Sequence, residues 1–553
     1  MKSIQSEKNE DTTMNGAQAL FKALVDAGLD ACFGNPGTSE MQLVYEMGRT
    51  KDVRPILCLQ ENTVTGAADG YARMAGKPAF TLLHVGGGFA NGIANIHNAG
   101  RATTAMVNIV GANATYHQPN YPEHELINGK IVDLARVVSH WAHEAKSSSN
   151  LAVLGALATR YSRIGAGKIC TVIAPSNCHW DPAVAPPVPA GPIETPKVSA
   201  QTIQEVVVLL TNGKKTAILL GSHAIYGEGL ELAGRIAAKT GADLLGETIP
   251  SRFARGEGRV PVKLIPYLPE MAIPFLKEYQ QILLVGALLP VTTFAYKDRP
   301  LVKIPPGCEV TTLATVDHDM LSALRDLAKA VRAPSQPTSR QARSKNSPLA
   351  PGELTDAAIG QSVGMLLPEN AIVVMECPTS DPAIYHHTEG ARAHDYLNAT
   401  TGGSIGAGLP VALGAAIACP DRKTVLFEGD GSGMYTAQAL WSMAREKANV
   451  TIVILKNDDY GIINIELARV REGDANAKME SMINLNNPTL NWVKIAEGQG
   501  VPASRATTAE EFHKQFEAAI GAKGPRLIEA QIVENIQPMI DSIRKSLNAE
   551  KTI

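Results

Sequence analysis

The residues best suited to chemistry are a glycine-rich turn and an asparagine that follows it at the distance of one crossover. The turn is GDGSG (Gly429–Gly433), and it stands between a strand pattern and a helix pattern. Glycines let the backbone approach an anion closely, and amides at the next helix N-terminus attract phosphate. The turn lacks both the Gly-Lys-Ser/Thr of a P-loop and the GxGxxG spacing of a dinucleotide fingerprint. Alone, it is weak evidence for phosphate binding.

The partner of this turn is Asn457, which stands 27 residues after Asp430 (457 − 430). One strand–helix–strand crossover takes about 30 residues, so both side chains are predicted at the carboxyl edge of one parallel sheet, where ligands bind. One carboxylate, one amide oxygen and a backbone carbonyl, for which Asp459 is the candidate, would suit Mg²⁺. The alternative is that residues 457–459 form only a polar turn after a strand.

Strand and helix patterns alternate along the chain and would position these residues. In the first part, PAFTLLH (78–84) and MVNIVGA (106–112) predict buried strands, and small residues at helical spacing predict a helix within 58–75. Residues 424–456 read as the strand–helix–strand unit described above, and residues 216–242 as a similar strand and helix in the middle of the chain. Such alternation predicts parallel sheets with right-handed crossovers.

Two proline-rich stretches divide the chain into three segments. They are PAVAPPVPAGPIETP (182–196) and PSQPTSRQARSKNSPLAPGE (334–353), whose composition is typical of linkers. We therefore predict an α/β protein of three doubly wound parallel-sheet domains, over residues 14–185, 197–333 and 353–540.

Composition excludes several classes of protein. The 553 residues carry 51 Lys and Arg against 54 Asp and Glu, and so near-neutral a chain is unlike one that binds nucleic acid or a charged membrane surface. Its seven cysteines are never spaced CxxC, which argues against a disulfide framework and a structural zinc site. The N-terminus has no apolar signal region, and the longest apolar run, 405–419, is too short to span a bilayer. We expect a cytoplasmic protein.

Several longer motifs resemble thiamin-diphosphate (ThDP) enzymes of the benzoylformate decarboxylase and acetolactate synthase type. They occur in that family's order and cover both outer segments: FGNPGTSE (33–40), CLQENTVTGAADGYAR (58–73), KPAFTLLHVGGG (77–88), GGSIGAGLPVALGAA (402–416) and NDDYGI (457–462). The resemblance implies a pyrimidine-binding, a middle and a diphosphate-binding domain, with ThDP and Mg²⁺ as cofactors. It also implies a homodimer or homotetramer, in which each cofactor lies between the pyrimidine domain of one subunit and the diphosphate domain of another.

Two residues are implied as catalytic by this resemblance. Glu61 matches the carboxylate that hydrogen-bonds the cofactor's pyrimidine ring and favours the tautomer that deprotonates thiazolium C2. It follows the apolar run ILCL at a predicted strand-to-helix junction; the alternative is an ordinary glutamate favoured by a helix dipole. His84 matches an active-site histidine of benzoylformate decarboxylase, and an imidazole exchanges protons near neutral pH. The alternative is a histidine satisfied by backbone at the end of a strand.

The remaining matched positions concern the cofactor and the metal. Ile405 stands 25 residues before Asp430 (430 − 405) and resembles the bulky apolar residue that holds the cofactor bent; the alternative is core packing. The metal ligands implied are Asp430, Asn457 and Asp459. The other cofactor-binding residues implied are Asn35, Gly37, Thr379, Ser380, Gly403, Gly431, Ser432, Tyr460, Gly461 and Ile462.

The match departs from benzoylformate decarboxylase at two places. That enzyme has a second active-site histidine in its middle domain, whereas the corresponding stretch GALLPVTTFAYKD (286–298) has none. Thr38 stands where the family has a serine. The histidines that could supply a replacement are His117, His124, His386 and His387, and each is also typical of an ordinary loop histidine.

We expect a ThDP- and Mg²⁺-dependent enzyme that decarboxylates a 2-oxo acid without oxidation to an aldehyde and carbon dioxide. The first alternative is a carboligase of the acetolactate synthase type, which would join the acyl unit to a second carbonyl. A non-catalytic protein that keeps the ThDP fold is the less favoured third interpretation. The identity of the 2-oxo acid depends on loops that the motifs do not fix.

Overall fold

In this computed structural model, three parallel β-sheets organise the chain. The described residues are 14–184, 193–295, 300–344, 349, 351–470, 473, 475–533, 536, 537, 539–541, 543 and 544. The predicted first domain end at residue 185 lies outside them. Among the helices of the described residues, none is long and apolar enough to cross a membrane.

The first sheet is built by the N-terminal segment. Its strands are β1 (Ala31–Asn35), β2 (Arg54–Leu57), β3 (Ala79–Leu83), β4 (Met106–Ala112), β5 (Trp141–Glu144) and β6 (Ile169–Pro175). Its helices are α1 (Gly16–Asp26), α2 (Met41–Arg49), α3 (Glu61–Ala75), α4 (Val85–Arg101), α5 (Ile131–Val138), α6 (Ser148–Ser162) and α7 (Asn177–Trp180). The strand order β2-β1-β3-β4-β6-β5 brings the carboxyl ends of β1, β2 and β3 together. These ends carry the predicted residues Asn35, Glu61 and His84.

The second sheet is built by the middle segment. The strands of this segment are β7 (Thr216–Leu220), β8 (Asp243–Gly246), β9 (Phe253–Arg255), β10 (Lys263–Leu264), β11 (Gln281–Val285) and β12 (Glu309–Ala314). The helices are α8 (Ala200–Thr211), α9 (Gly227–Thr240), α10 (Pro269–Leu276) and α11 (Met320–Ala330). The sheet has the order β10-β8-β7-β11-β12, so β9 does not belong to it.

The third sheet is built by the C-terminal segment together with β9. Its own strands are β13 (Ala371–Glu376), β14 (His394–Asn398), β15 (Thr424–Gly429), β16 (Val450–Lys456), β17 (Ala503–Ala506) and β18 (Arg526–Gln531). The helices are α12 (Asp356–Leu366), α13 (Asp381–His387), α14 (Gly408–Ala418), α15 (Asp430–Gly433), α16 (Ala439–Glu446), α17 (Gly461–Val470), α18 (Ala477–Glu480), α19 (Trp492–Gly498) and α20 (Ala509–Gly521). The order is β17-β18-β16-β15-β13-β14-β9.

The predicted fold class is confirmed, with one departure. Strand β9 of the middle segment pairs antiparallel with β14, so the third sheet has an edge strand from outside its own segment. All other pairings within the three sheets are parallel, for example β15 with β16 and β3 with β4. A three-residue strand is too short for its hydrophobic pattern to identify the sheet that it joins.

Helix α3 of the first sheet packs tightly on helix α14 of the third. A Cβ on Gly70 would lie 2.1 Å from the carbonyl oxygen of Val411, and one on Gly414 would lie 1.9 Å from that of Ala67. Glycine therefore allows the two helix backbones to touch. This contact fixes the helix that begins with Glu61 against the third sheet, and one continuous hydrophobic cluster spans both.

Candidate active site

Glu61 is held at the start of α3 by two amide side chains. The Asn35 Nδ2 donates to Glu61 Oε1 at 3.0 Å, and the Asn91 Nδ2 donates to Oε2 at 3.1 Å. Glu61 is 8% exposed, and a Cβ on Gly88 would lie 3.1 Å from its Oε1. The helix N-cap is Gln60, whose side chain accepts from the backbone N–H of the residue three positions on. Two fixed donors therefore orient this carboxylate, leaving its remaining lone pairs for a ligand.

His84 lies at the junction of β3 and α4, where it contacts a buried carboxylate. Its Nδ1 is 2.8 Å from Glu40 Oε2, and because a carboxylate only accepts, the imidazole donates through Nδ1. Glu40 is fully buried and also accepts from the Gly37 N–H at 2.8 Å and the Ser39 hydroxyl at 2.6 Å. The next residue, Val85, has φ +39°, a conformation that β-branched residues rarely adopt and that is typical of functional sites.

Gly37 and Gly86 make room for the groups around His84. A Cβ on Gly37 would lie 2.3 Å from His84 Nδ1, and one on Gly86 would lie 2.6 Å from Leu126 Cδ2. The loop that contains Leu126 therefore docks against the start of α4. It carries His124, whose ring centroid is 5.2 Å from that of His84 with the planes at 71°. Of the four histidines considered as replacements, His124 is the one that contacts His84.

The turn after β15 and the loop after β16 lie side by side, as their spacing predicts. The strands are adjacent, with Gly429 paired to Leu455. Asp430 is 1% exposed; its Oδ1 accepts from the Gly431 N–H at 3.0 Å and its Oδ2 from the Asp458 N–H at 2.9 Å. One carboxylate therefore ties the two loops together.

The groups at this edge fit a hard divalent cation. Burial raises the pKa of the Asp430 carboxyl to about 6, so a cation beside it would restore the ionised form. Asp459 has a buried Oδ1 without a hydrogen-bond partner, and burial raises the pKa of this carboxyl as well. Among the described residues no three His, Cys, Asp or Glu side chains cluster as metal ligands. Amide and carbonyl oxygens, such as those of Asn457 and Asp459, would complete the set.

The loop after β16 is held rigidly. Asp458 has φ +56°, and its carboxylate pairs with the buried Lys456 ammonium and accepts from the Thr489 hydroxyl at 2.6 Å. The Asn457 Oδ1 accepts from the Asp459 N–H at 3.2 Å. This side-chain contact orients the amide of Asn457 within its own turn.

Tyr460, Gly461 and Ile462 continue from this loop into α17. A Cβ on Gly431 would lie 2.5 Å from Tyr460 Cε1, so the glycine turn lies flat against that ring. Gly461 is buried at the first position of the helix. The Ile462 side chain packs against a hydrophobic cluster that includes Leu268. Of these three residues, Tyr460 is therefore the one in contact with the glycine turn.

Three side-chain hydroxyls were predicted to bind the diphosphate, and two of them already donate hydrogen bonds within the protein. The Ser380 hydroxyl donates to Asp356 Oδ1 at 2.8 Å, and the Ser432 hydroxyl donates to Glu428 Oε1 at 2.5 Å. A diphosphate needs hydrogen-bond donors. Each of these serines already donates its only side-chain hydrogen to a carboxyl group of the protein, so neither has a side-chain donor left for a diphosphate in this arrangement. Thr379 is half-buried.

Ile405 stands in the loop between β14 and α14, which we call the wedge loop (residues 400–407). Gly403 in this loop has φ +83°, a left-handed conformation that favours glycine. The Asn98 side chain on α4 donates to the Ser404 carbonyl at 2.8 Å and accepts from the Gly402 N–H at 3.0 Å. Ile405 itself is half-buried. The wedge loop is therefore fastened to α4, the helix that directly follows His84.

Two buried glutamates of the third sheet escaped the sequence analysis. Glu376 and Glu428 are cross-strand neighbours on β13 and β15, 2% and 0% exposed. Burial raises the pKa of Glu376 to about 7. Burial, and to a smaller extent the adjacent charge of Glu376, also raises the pKa of Glu428. Two adjacent buried carboxyl groups resist double ionisation. The sequence did offer a signal for both residues, because a glutamate in an otherwise apolar strand is unusual and indicates a buried carboxyl group.

The sequence also gave no indication that Glu40 and Asn91 of the first segment would hold the two predicted catalytic residues. Glu40 stands within a resemblance motif, but nothing local distinguishes it from a helix N-terminal glutamate. Asn91 lies among other asparagines of α4, and its contact with Glu61 spans 30 residues (91 − 61). Such contacts depend on the tertiary structure.

Comparison with known proteins assigns the family of this site. Residues 14–133 match the N-terminal TPP binding domain of thiamine pyrophosphate enzymes, and residues 380–530 match their C-terminal TPP binding domain. A Mycobacterium tuberculosis protein, IlvX, named as an acetolactate synthase large subunit, is 43% identical over 525 residues, which cover 94% of this chain and 99% of that protein. The chain belongs to the thiamine pyrophosphate enzyme family. Its cofactor is ThDP with a divalent metal, which in this family is usually Mg²⁺.

Other relatives of this ThDP enzyme have different names. Benzoylformate decarboxylase of Pseudomonas aeruginosa is 27% identical over 549 residues, covering 94% of this chain and 99% of that protein. The solved structure of a 4-hydroxybenzoylformate decarboxylase from Rhodococcus jostii RHA1 has a TM-score of 0.81 at 24% identity, covering 94% of this chain and 100% of that one. The structural likeness supports the fold. The resemblance to both benzoylformate decarboxylase and acetolactate synthase is confirmed.

Proposed function

We propose that this ThDP enzyme decarboxylates a 2-oxo acid without oxidation and releases an aldehyde and carbon dioxide. The observation that carries the proposal is His84, an imidazole held by a fully buried glutamate in the same half-site as Glu61. When bound, ThDP supplies a nucleophilic carbon and accepts the electron pair left by carbon dioxide. The protein must then supply an activating carboxylate, a proton donor and a substrate pocket.

Glu61 would supply the activating carboxylate. The Asn35 and Asn91 amides fix its orientation at 3.0 and 3.1 Å, and its burial excludes competing water. In such a site a carboxylate can share a proton with a ring nitrogen of the pyrimidine. The metal would be held by Asp430 and Asn457, with the Asp459 carbonyl as the third protein ligand.

His84 and His124 would move the proton that the aldehyde carbon needs. The Nδ1 of His84 donates to Glu40, so the ring's Nε2 is the nitrogen able to exchange a proton with a substrate. His124 stands 5.2 Å away between ring centroids, and we propose that it replaces the family's second active-site histidine. A second imidazole can restore the proton that the first has delivered.

An open apolar surface pocket beside the metal loop supports a substrate with an apolar side chain. The pocket has a volume of about 510 Å³. Its walls include Ile463 and Leu467 of α17, and Met482 and Ile483. The Ile483 carbonyl accepts from the Tyr460 N–H at 3.1 Å, so the wall is attached directly to the loop that carries Asn457. Pockets of this kind bind apolar ligands with a few polar contacts.

A panel of 2-oxo acids tests the reaction. Purified protein would be incubated with ThDP, Mg²⁺ and 2-oxo acids that carry aliphatic, branched or aromatic side chains, and carbon dioxide and aldehyde would be measured together. We expect equal amounts of both products, with the best rates for apolar side chains. Absence of carbon dioxide from every member of the panel would refute the proposal, provided that ThDP binding is demonstrated in the same preparation.

A carboligase is the second candidate, favoured by the 43% identity to a protein named as an acetolactate synthase large subunit. In this reaction the acyl unit joins a second carbonyl compound and takes no proton from His84. Mass analysis of the products from pyruvate would separate the two reactions. A hydroxy-ketone acid in place of aldehyde, or a bound yellow flavin, would favour the carboligase.

We further propose a homodimer or homotetramer that acts in the cytoplasm on a free small molecule. Large exposed apolar side chains support association: Tyr45, Ile127 and Tyr435 are each more than half exposed. All seven cysteines are free, which is typical of a reducing compartment. Light scattering of the purified protein would give the subunit number, and a monomer that retains activity would contradict shared sites.

The three segments would then serve as separate domains. We propose residues 14–185 as the pyrimidine-binding domain, 197–333 as the middle domain and 353–540 as the diphosphate-binding domain. This division is supported by the positions of two predicted site residues: Glu61 lies in the segment that builds the first sheet, and Asp430 lies in the segment that builds the third.

A further inference from the structure

The carboxylate of Glu376 holds the backbone that directly follows Ile405. The Gly406 N–H donates to Glu376 Oε1 at 2.6 Å, the Ala407 N–H donates to Oε2 at 2.8 Å, and the Gly408 N–H also donates to Oε2. Glu376 is 2% exposed. Three consecutive amides therefore converge on one buried carboxylate, and such charge-assisted bonds are stronger and shorter than neutral ones.

The same backbone is fixed from its other side. The Gly406 carbonyl accepts from the Thr436 hydroxyl at 3.0 Å and from the Asn95 Nδ2 at 3.2 Å. Gly406 has φ +87°, and a Cβ there would lie 2.4 Å from Tyr435 Cβ. The position of the peptide next to Ile405 is therefore set jointly by these contacts and by the Glu376 carboxylate.

Glu376 also stands against the carboxyl group that holds the glycine turn. Its cross-strand neighbour Glu428 accepts from the Ser432 hydroxyl. A Cβ on Gly408 would lie 2.1 Å from Glu428 Oε2 and 3.0 Å from Glu376 Oε2, so the two carboxyl groups meet at this glycine. One of them reaches the wedge loop and the other reaches the turn that begins with Asp430.

We propose that Glu376 is a positioning residue that sets the place of Ile405 under ThDP and thereby the approach of the cofactor's two rings. The proposal rests on the proposed role of Ile405 and not on the identity of the substrate. A glutamine at this position would present an N–H₂ group to the three amides, so at least one of them would lose its acceptor. A buried N–H without a partner destabilises the arrangement that contains it. Ile405 would then shift, whereas Asp430 would keep the Gly431 and Asp458 amides that hold it, because the substitution touches neither.

Binding of two ligands separates positioning from general damage. We would use titration calorimetry to measure the affinities of the full-length protein and of its Glu376→Gln variant for Mg²⁺–ThDP and for Mg²⁺–pyrophosphate. Pyrophosphate reaches only the metal end, so we expect its affinity to remain within about twofold. The ThDP affinity should fall by about tenfold, which corresponds to the loss of one charge-assisted hydrogen bond. Exchange of the cofactor's C2 hydrogen should slow by about 100-fold, as expected of a misplaced reacting group.

A matched control and a milder variant keep the test interpretable. Glu529→Gln removes the charge of another fully buried glutamate of the third sheet, which pairs with Arg505 at 2.7 Å and accepts from the Val493 N–H at 3.2 Å, and it should leave both affinities unchanged. Thr436→Val removes only the hydroxyl that holds the Gly406 carbonyl. It should weaken ThDP binding in the same pattern to a smaller extent, and it carries the test if Glu376→Gln does not fold.

A double-mutant cycle with Ile405→Ala decides whether Glu376 acts through Ile405. If it does, Glu376→Gln should cause no further loss of ThDP affinity or C2 exchange in the Ile405→Ala protein. Additive losses would overturn the proposal, as would equal weakening of ThDP and pyrophosphate by Glu376→Gln, or no change in either. Since every readout is binding or exchange, a failed decarboxylation assay leaves the result intact. Wild-type protein that binds pyrophosphate but not ThDP would instead count against the cofactor assignment.

Discussion

The two halves of the site hold their carboxylates in different ways. In the first sheet, Glu61 is held by two asparagine side chains, and His84 is bound to Glu40. In the third sheet, Asp430 and Glu376 are held by backbone amides. Backbone amides fix Asp430 and Glu376 with the fold itself, whereas the positions of Glu61 and His84 depend on the side chains that hold them. The first half carries a carboxylate and an imidazole, which suit proton transfer, and the other half carries the carboxylate that suits a metal ion.

The most severe test of the proton-transfer half is Glu61→Gln. An amide cannot share a proton with the pyrimidine in the same way, so we expect activity to fall at least about 100-fold, the range of a lost acid–base group. The control is Glu46→Gln, because Glu46 is 5% exposed and also accepts from two amides, those of Asn15 and Gln42. Steady-state rates at saturating ThDP would measure both, and full activity of Glu61→Gln would refute its role.

The cofactor-holding half is tested by metal affinity and its pH dependence. The pKa of Asp430 is about 6 in the folded protein, raised from 3.8 by burial. Metal needs the ionised form, so Mg²⁺ affinity of the apo-protein should fall by about tenfold per pH unit below pH 6. Because this pKa is raised on folding, the group's contribution to stability without metal should decline as pH rises from about 4 to 6.

Asp430→Asn should remove this pH dependence and weaken Mg²⁺ binding by at least about 100-fold. Calorimetry between pH 5 and 7.5 would record both effects. An unchanged affinity in the variant would show that the cation binds elsewhere.

A smaller effect is expected from the groups around His84. Glu40→Gln keeps the shape of the side chain but removes the charge that orients Nδ1 of His84, and we expect a 10- to 100-fold loss with a shifted pH–rate profile. His124→Asn should slow turnover less and alter the ratio of aldehyde to coupled product.

The exposed His117 is the control for His124, because it lies on the same connection between β4 and α5 and has no ring contact with His84. His117→Asn should leave rate and product ratio unchanged. Identical behaviour of the two variants would exclude His124 as the second histidine.

The contact that joins the two halves should affect stability more than chemistry. Gly414→Ala places a methyl group 1.9 Å from the Ala67 carbonyl oxygen, so α3 and α14 must separate, at a cost of about 1–3 kcal/mol. Gly48→Ala, in a helix with open space at the same atom, should be neutral or stabilising by up to about 1 kcal/mol. Denaturant unfolding would measure both, and equal stabilities would contradict the tight packing of α3 on α14.

Local pattern predicted most of the framework of this site. The strand MVNIVGA is observed as Met106–Ala112, and the interval between Asp430 and Asn457 correctly predicted adjacent strands β15 and β16. Long apolar strands and glycine turns carry their structure in neighbouring residues, so they are readable from one stretch of chain. The N-cap of α3 is less readable from the sequence, because it is Gln60, whereas helices are usually capped by Ser, Thr, Asp or Asn.

The sequence by itself determined the order of the elements, because that order rests on residue types at short, regular intervals, and its longer motifs carried the resemblance that implied the family and the cofactor. Only the tertiary structure decided which groups hold the functional side chains. Asn91 meets Glu61, His124 meets His84, and Glu376 meets the wedge loop across separations of 30 to 40 residues (91 − 61, 124 − 84 and 406 − 376). Such contacts form because helices and strands pack, and no local propensity encodes the partner that packing will bring.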